Sequence, residues 1–241
     1  MNCQVARCIV SAVVVTKVIL HREAYKAIRK AILNGRYRPG ARLIVRELAE
    51  ELGLSPTPIK EALAALEREG LVKSTPHKGY QVFKPSLEDA QEIYELRESL
   101  EGLAARLATL RGGEGLVNAL TALWEKQREA ADRRDLEAYG DFDIGFHRTL
   151  WEAAGNKRLR HIAENLDGQV RLLISTSAAV PGRLPLSIEE HRRIIEAIRK
   201  RDASEAEAAM RQHIYRAWCA LKEFLDPGSF QGLPRGGGEA L

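Results

Sequence analysis

Aromatic residues make up only 6% of the chain, and cysteine occurs three times, at Cys3, Cys8 and Cys219. So few aromatics beside abundant Ala, Leu, Glu and Arg argue against a strand-dominated fold and for helices. The odd cysteine count has no framework spacing, which excludes a disulfide-stapled scaffold and suits reduced thiols in a cytosol. Cys3 and Cys8 also lack the downstream Cys/His partners of a zinc knuckle. No apolar run is long enough to span a membrane. The nearest approach, Val5–Leu20, is broken by Thr16 and Lys17, and no small-residue cleavage pattern follows, so residues 1–20 read as an N-terminal extension. The chain also shows neither a His-Glu-x-x-His motif nor a serine nucleophile elbow, which removes two common hydrolase designs.

What is present is enough apolar residue, 45% of 241 positions, for two packed domains. The formal net charge of +4 is unevenly placed: residues 1–84 hold 15 Lys/Arg against 7 Asp/Glu, and residues 85–241 hold 22 against 26. A basic first third on a mildly acidic remainder points to a polyanionic partner for the first third.

That first third has punctuated helical periodicity. His21–Asn34 places Tyr25, Ile28 and Ile32 on one face, with Gly35 to stop it. Pro39-Gly40 makes a turn. A short helix over Val45–Leu52 ends at Gly53. Ser55 then caps a second helix whose first turn holds Pro56 and Pro58, where a missing N–H costs nothing. Ile59, Leu63 and Leu66 form its apolar face, and Gly70 closes it. Two short helices on a glycine turn form a helix-turn-helix. Two short strands follow around a basic loop with Lys78-Gly79 at its tip, the pattern of a β-wing, so residues 21–84 read as a winged helix-turn-helix of three helices plus a small wing.

The run Tyr25-x2-Ile28-x3-Ile32-x2-Gly35-x3-Pro39-Gly40-x2-Leu43, Arg46-Glu47-Leu48-Ala49-x2-Leu52-Gly53, Ser55-x-Thr57-Pro58-Ile59-Lys60-Glu61-Ala62-Leu63 and Glu69-Gly70-Leu71-Val72 resembles the GntR-type winged helix. The resemblance implies binding to double-stranded operator DNA as a homodimer, with the second helix of the motif in the major groove and the wing near the backbone. It carries the DNA-contacting role to Arg46, Ser55, Thr57 and Lys60, and to Lys78 and Gly79 at the wing. Their chemistry agrees. Arg46 can fork onto a phosphate or a guanine edge, and Ser55 and Thr57 offer hydroxyls and N–H groups at a helix N-terminus. The family pattern has Arg at the positions of Pro56 and Lys60. Pro56 offers no side-chain contact, and Lys60 gives up the bidentate geometry.

Ser86 with Asp89 opens a long helix over about Leu87–Leu110, with an expected apolar stripe of Ile93, Leu96, Leu100, Leu103 and Leu107. Further helical patterns cover 116–132, 135–154, 157–178, 188–200 and 203–224, the last two headed by the capping boxes Ser187-x-x-Glu190 and Asp202-x-x-Glu205. Residues 86–225 therefore read as an all-helical bundle of six or seven helices, making the whole chain mostly α. The Pro/Gly-rich segment 226–241 reads as a disordered tail.

Within the bundle, Asp143 and His147 are four apart and share a helix face. His191 and His213 lie on the last two helices, which antiparallel packing would bring together. One carboxylate and three imidazoles suit a first-row divalent transition metal with positions left open. Taken singly, each histidine is equally readable as a packed side chain.

Tyr94-Glu95-Leu96-Arg97-x2-Leu100-Glu101, Asp143-x2-Phe146-His147-x3-Trp151-x2-Ala154-Gly155-Asn156, Glu190-His191-x2-Ile194 and Met210-x2-His213-Ile214 resemble the effector-binding FCD domain of the FadR-like branch of GntR regulators. The resemblance implies zinc or nickel held by Asp143, His147, His191 and His213, and a small carboxylate or sugar-acid effector met by Arg97. Arg171 is a further candidate effector contact. Arg97 is also spaced to pair with Glu101 one turn on. The implied protein is a cytoplasmic, nucleoid-associated transcriptional regulator, expected to be a repressor and without turnover. The competing reading is a metal-dependent hydrolase or isomerase on a helical scaffold, with the open metal positions activating water.

Overall fold

The computed structural model describes residues 19–75, 79–178 and 180–225. The expected N-terminal extension, apart from its last two residues, and the expected tail lie outside them, as do Cys3, Cys8, His77 and Lys78. Among the described residues no helix is long and apolar enough to cross a membrane.

The first helix, α1 (residues 19–33), buries Ala24, Ile28 and Ile32, and Gly35 ends it at φ 73°. A two-residue strand β1 (Arg42–Leu43) precedes α2 (Val45–Leu52), which buries Leu48 and Ala49. Gly53 caps α2 in the left-handed region at φ 64°, where its N–H returns to Ala49 and Glu50 carbonyls. A side chain would be strained there, so this glycine sets the tight turn of the motif. The next helix, α3 (Pro56–Arg68), begins after Ser55 and buries Ile59, Ala62, Leu63 and Leu66. Strands β2 (Val72–Thr75) and β3 (Gly79–Val82) form the wing; β3 lies between β1 and β2, antiparallel to both, pairing Leu43 with Tyr80 and Val72 with Val82. The strand β1 is too short to leave a period in the sequence.

The first compact unit runs to Pro85 and also takes in Glu164–Leu172, a stretch of the helix α7 (Lys157–Ala178). Leu172 joins the cluster of Ile28, Leu48, Leu63 and Leu71. Asp167 accepts a 3.1 Å hydrogen bond from Arg29, which also donates to Glu69. An apolar contact and a charged one thus hold this stretch to its unit, which sequence order alone does not announce.

The second unit is a bundle of α4 (Leu87–Arg111), α5 (Gly115–Asp132), α6 (Leu136–Ala153), the remainder of α7, α8 (Arg183–Arg199) and α9 (Ala203–Leu225). Helix α4 packs on α9 and α6, α5 on α6 and α8, and α8 on α9. A capping box opens α4: the Ser86 hydroxyl accepts from the Asp89 N–H, and the Asp89 carboxylate accepts from the Ser86 N–H. Ser86→Ala is expected to lose about 1 kcal/mol of stability, read as a lower urea midpoint at unchanged slope.

Two expectations for this unit need correction. The expected stripe of α4 is buried only in part: Ile93 is buried and Leu100 and Leu107 pack against the cluster of Ala104 and Trp151, but Leu96 is 51% exposed and Leu103 37%. Besides Ile93 the helix buries Ala90, Tyr94, Arg97, Glu101, Ala104, Ala105 and Ala108. Small alanines let α9 and α6 approach, and the Arg97–Glu101 pair satisfies its own charges inside. Likewise Ser187 and Glu190 do not cap α8. That helix starts at Arg183 after Gly182, and both residues lie buried within it. At the start of α9 the Glu205 N–H does donate to the Asp202 carboxylate, as a capping residue requires.

Candidate metal centre and nucleic-acid interface

The expected metal ligands converge. Helical spacing on α6 puts Asp143 and His147 on one buried face, and α8 and α9 supply His191 and His213. The donor atoms of the three histidines lie within 4.8 Å of one another. His191 Nε2 is 3.2 Å from His213 Nε2, and the Asp143 oxygens stand 3.8 Å from His147 Nε2 and 3.9 Å from His191 Nε2. Donors about 2.1 Å from one ion stand about 3.0–3.4 Å apart, so a small inward movement closes the set.

The outer nitrogens decide which way the rings point. His147 Nδ1 contacts the Glu101 carboxylate. His191 Nδ1 is 2.7 Å from Gln127 Oε1, and His213 Nδ1 is 2.8 Å from Glu190 Oε2. The Gln127 amide is itself oriented, because its nitrogen donates to Asp143 at 2.8 Å. Three acceptors on three Nδ1 atoms assign each proton to the outside, leaving the Nε2 lone pairs directed inward. Two lone pairs 3.2 Å apart repel unless a cation lies between them. Among the described residues both ring nitrogens of His147 are buried without a regular hydrogen bond; Nδ1 contacts the Glu101 carboxylate, and Nε2 faces the other two histidines and Asp143. Phe146 stacks on His191 with centroids 4.2 Å apart, fixing that ring's plane. The residues present therefore fit a divalent ion.

The electrostatics agree. Burial, then the neighbouring His213, His147 and Arg183, hold the His191 imidazole well below its usual range. Burial, His147 and Arg183 do the same for His213. Both stay neutral at neutral pH, the state a metal requires. Burial works to raise the Glu101 carboxyl, but His147 and Arg97 outweigh it and hold it at about 2. Burial raises Asp143 despite His147 and Arg97.

A histidine with a lowered folded value takes its proton first in the unfolded chain, so stability falls as pH drops below 6.5. Metal-stripped protein is therefore expected to melt at a lower temperature at pH 5.5 than at pH 7.5. His191→Gln should reduce that dependence, and melting curves across this range check it.

Beside the histidines is a small cavity of about 20 Å³ lined by Tyr94, Arg97, Tyr139, Arg183, Ser177 and Ser187, among others. Arg97 is here, donating from Nε to Glu101 at 2.9 Å. Arg171 is not among the lining residues. It lies on the stretch of α7 that belongs to the first unit, with Nε 3.9 Å from Asp167. Sequence reasoning missed Glu101, Gln127, Arg183 and Glu190. Glu101 stood in view as the i+4 partner of Arg97, and Glu190 was absorbed into a false cap. Arg183 was hidden because Pro181-Gly182 reads as a loop.

In the first unit, Arg46 has a side chain 88% exposed and donates to Glu50 at 3.0 Å. Ser55 occupies the N-cap of α3, yet its hydroxyl makes no cap bond. Thr57 and Lys60 are exposed on the same helix, and Gly79 is exposed at φ 78° where β3 begins. The first turn of α3 thus offers the Ser55 and Thr57 hydroxyls and the Thr57 N–H, with the Lys60 ammonium exposed just beyond it.

A winged helix with a free motif face, joined in one chain to a helical domain with an internal ligand-type site, defines a DNA-binding transcriptional regulator. The chain belongs to the GntR family: residues 20–82 match the family of bacterial regulatory proteins, gntR family, and residues 92–216 match the FCD domain. It is 30% identical over 209 residues to the HTH-type transcriptional regulator YdhC of Bacillus subtilis (strain 168), covering 85% of this chain and 92% of that one. To the HTH-type transcriptional repressor RspR of Escherichia coli (strain K12) it is 27% identical over 213 residues, covering 87% and 92%. The fold is shared with the solved structure of E. coli McbR/YncC, at a TM-score of 0.75, 24% identity, and coverage of 86% and 98%. These families and relatives are regulators, not enzymes, and nothing in them supports the hydrolase or isomerase reading.

Proposed function

We propose that this regulator is a repressor that binds operator DNA as a homodimer in the cytoplasm, at the nucleoid, and responds to a small carboxylate effector at a divalent metal held by Asp143, His147, His191 and His213. The observation that carries the reading is the set of three imidazoles whose outer nitrogens are each tied to Glu101, Gln127 or Glu190, turning three lone pairs toward one point. Zinc or nickel suits imidazole and carboxylate donors. When bound, the ion supplies a Lewis-acidic centre for carboxylate oxygens. Arg97 adds a guanidinium at the same cavity.

The cavity's 20 Å³ admits about one water-sized group. A larger effector must push side chains of α4, α7 and α8 outward, so it binds the opened arrangement better than the closed one. That difference is what a ligand needs to shift an equilibrium. Half-sites on DNA are spaced by helical turns, so modest reorientation of two winged helices changes operator affinity. The dimer reading is supported by Leu96, Leu103 and Leu110, which repeat every seven residues on α4 and are all exposed, the period of a helix–helix seam.

Two mobility-shift titrations test the proposal, with metal-loaded and chelator-treated protein on its operator, each with and without carboxylates. Chelation is expected to abolish the carboxylate effect while leaving effector-free DNA binding nearly unchanged. Equal loss of both would point to a metal that only holds the fold.

A further inference from the structure

Arg183 is a charged residue of the cavity whose chemistry the metal reading leaves unused. It opens α8 directly after Gly182, which sits at φ 81° and turns the chain sharply into the helix. Its guanidinium is buried and lines the same cavity as Arg97. Nη2 donates to Glu190 at 2.7 Å, whereas Nη1, also buried, has no hydrogen-bond partner among the described residues. A buried guanidinium hydrogen left unpaired is costly, and a planar fork with one free arm is built to take a carboxylate oxygen.

Glu190 is shared: besides Arg183 and the His213 ring, its other oxygen lies 3.6 Å from Arg216. One arm of Arg183 is thus committed to a carboxylate that also holds a histidine, and the other arm is left for a ligand.

We infer that Arg183 is a specificity-determining residue and that the effector is a small dicarboxylate, one carboxylate meeting the metal and Arg97 and the second meeting the free arm of Arg183. This rests on the metal-and-carboxylate reading above and narrows it. The limited cavity keeps the class small, with two carboxylates on a few carbons. Tyr94, Tyr139, Ser177 and Ser187 line the remaining wall with hydroxyls that suit an additional hydroxyl on the ligand.

The test uses the full-length zinc-loaded protein and calorimetric titration with matched probes. Lactate and malate share an α-hydroxycarboxylate and differ by one carboxylate; acetate and malonate differ likewise. The wild type is expected to bind the dicarboxylate of each pair roughly tenfold or more tightly, the scale of one charge-assisted contact. Arg183→Lys keeps the cation and its link to Glu190 but lacks the second arm. Its malate and malonate affinities should fall to within about threefold of its own lactate and acetate affinities, with bound zinc measured alongside. Arg183→Gln should show the same loss more strongly. Equal affinity for mono- and dicarboxylates in the wild type would overturn the inference and leave the carboxylate reading standing. So would an Arg183→Lys variant that loses both classes in parallel or loses its zinc. No binding of any carboxylate to the zinc-loaded wild type would overturn both.

Discussion

Glu101→Ala is expected to destabilise the metal-free helical unit by about 3–5 kcal/mol, the largest effect of any single truncation considered for it. Glu101 is buried between two partners: one oxygen accepts from Arg97 Nε at 2.9 Å, and the other contacts His147 Nδ1. Removing it leaves a guanidinium inside the bundle with its charge uncompensated, and breaking one side of a buried pair costs about that much. Glu101→Gln keeps the volume and an acceptor oxygen, so its loss should be distinctly smaller. Both variants also free the His147 ring to change tautomer, so both should weaken metal binding about 10–100-fold, the usual range for removing a ligand's outer partner. Urea denaturation of stripped protein measures the first effect, and a competitive zinc titration the second. A Glu101→Ala protein as stable as the wild type would show that Arg97 finds another anion or water.

The second large effect belongs to the DNA face. Arg46→Ala is expected to cost about 1–3 kcal/mol in operator binding if its fork reads a base edge. Lys60→Ala should weaken all sequences alike and lower the salt slope of binding by about 1 if the lysine meets a phosphate. Arg46 must also leave Glu50 to reach the duplex, so Glu50→Gln should strengthen binding slightly. Lys60→Arg restores the guanidinium found at this position in the family and is expected to tighten operator binding through a bidentate contact. Fluorescence anisotropy over a range of salt separates these cases.

The helix-turn-helix was legible because its signals are local. Gly53 needs a left-handed backbone, Ser55 and Pro56 mark a helix start, and Ile59, Leu63 and Leu66 repeat at helical spacing. The proposed metal ligands were legible as residue types with a family pattern behind them. Their supporting residues were not. Gln127 and Glu190 act across helices, at separations of 64 and 23 residues from the histidines they hold, and no local period encodes such a pairing. The buried face of α4 was misread for a related reason. Leucines advertise a core, whereas Arg97 and Glu101 enter it only because each satisfies the other, a property of the pair and not of either residue. Helical periodicity runs unbroken through α7, so it does not show that Arg171 lies on the stretch belonging to the first compact unit.

Metal stoichiometry is the most direct measurement of the central claim. Protein stripped by chelator, reloaded with excess zinc and desalted should carry one ion per chain by mass spectrometry of the metal. His191→Ala and His213→Ala should carry close to none while keeping the wild-type helical circular dichroism. Reloaded wild type without zinc or nickel, or histidine variants that retain it in full, would contradict the account.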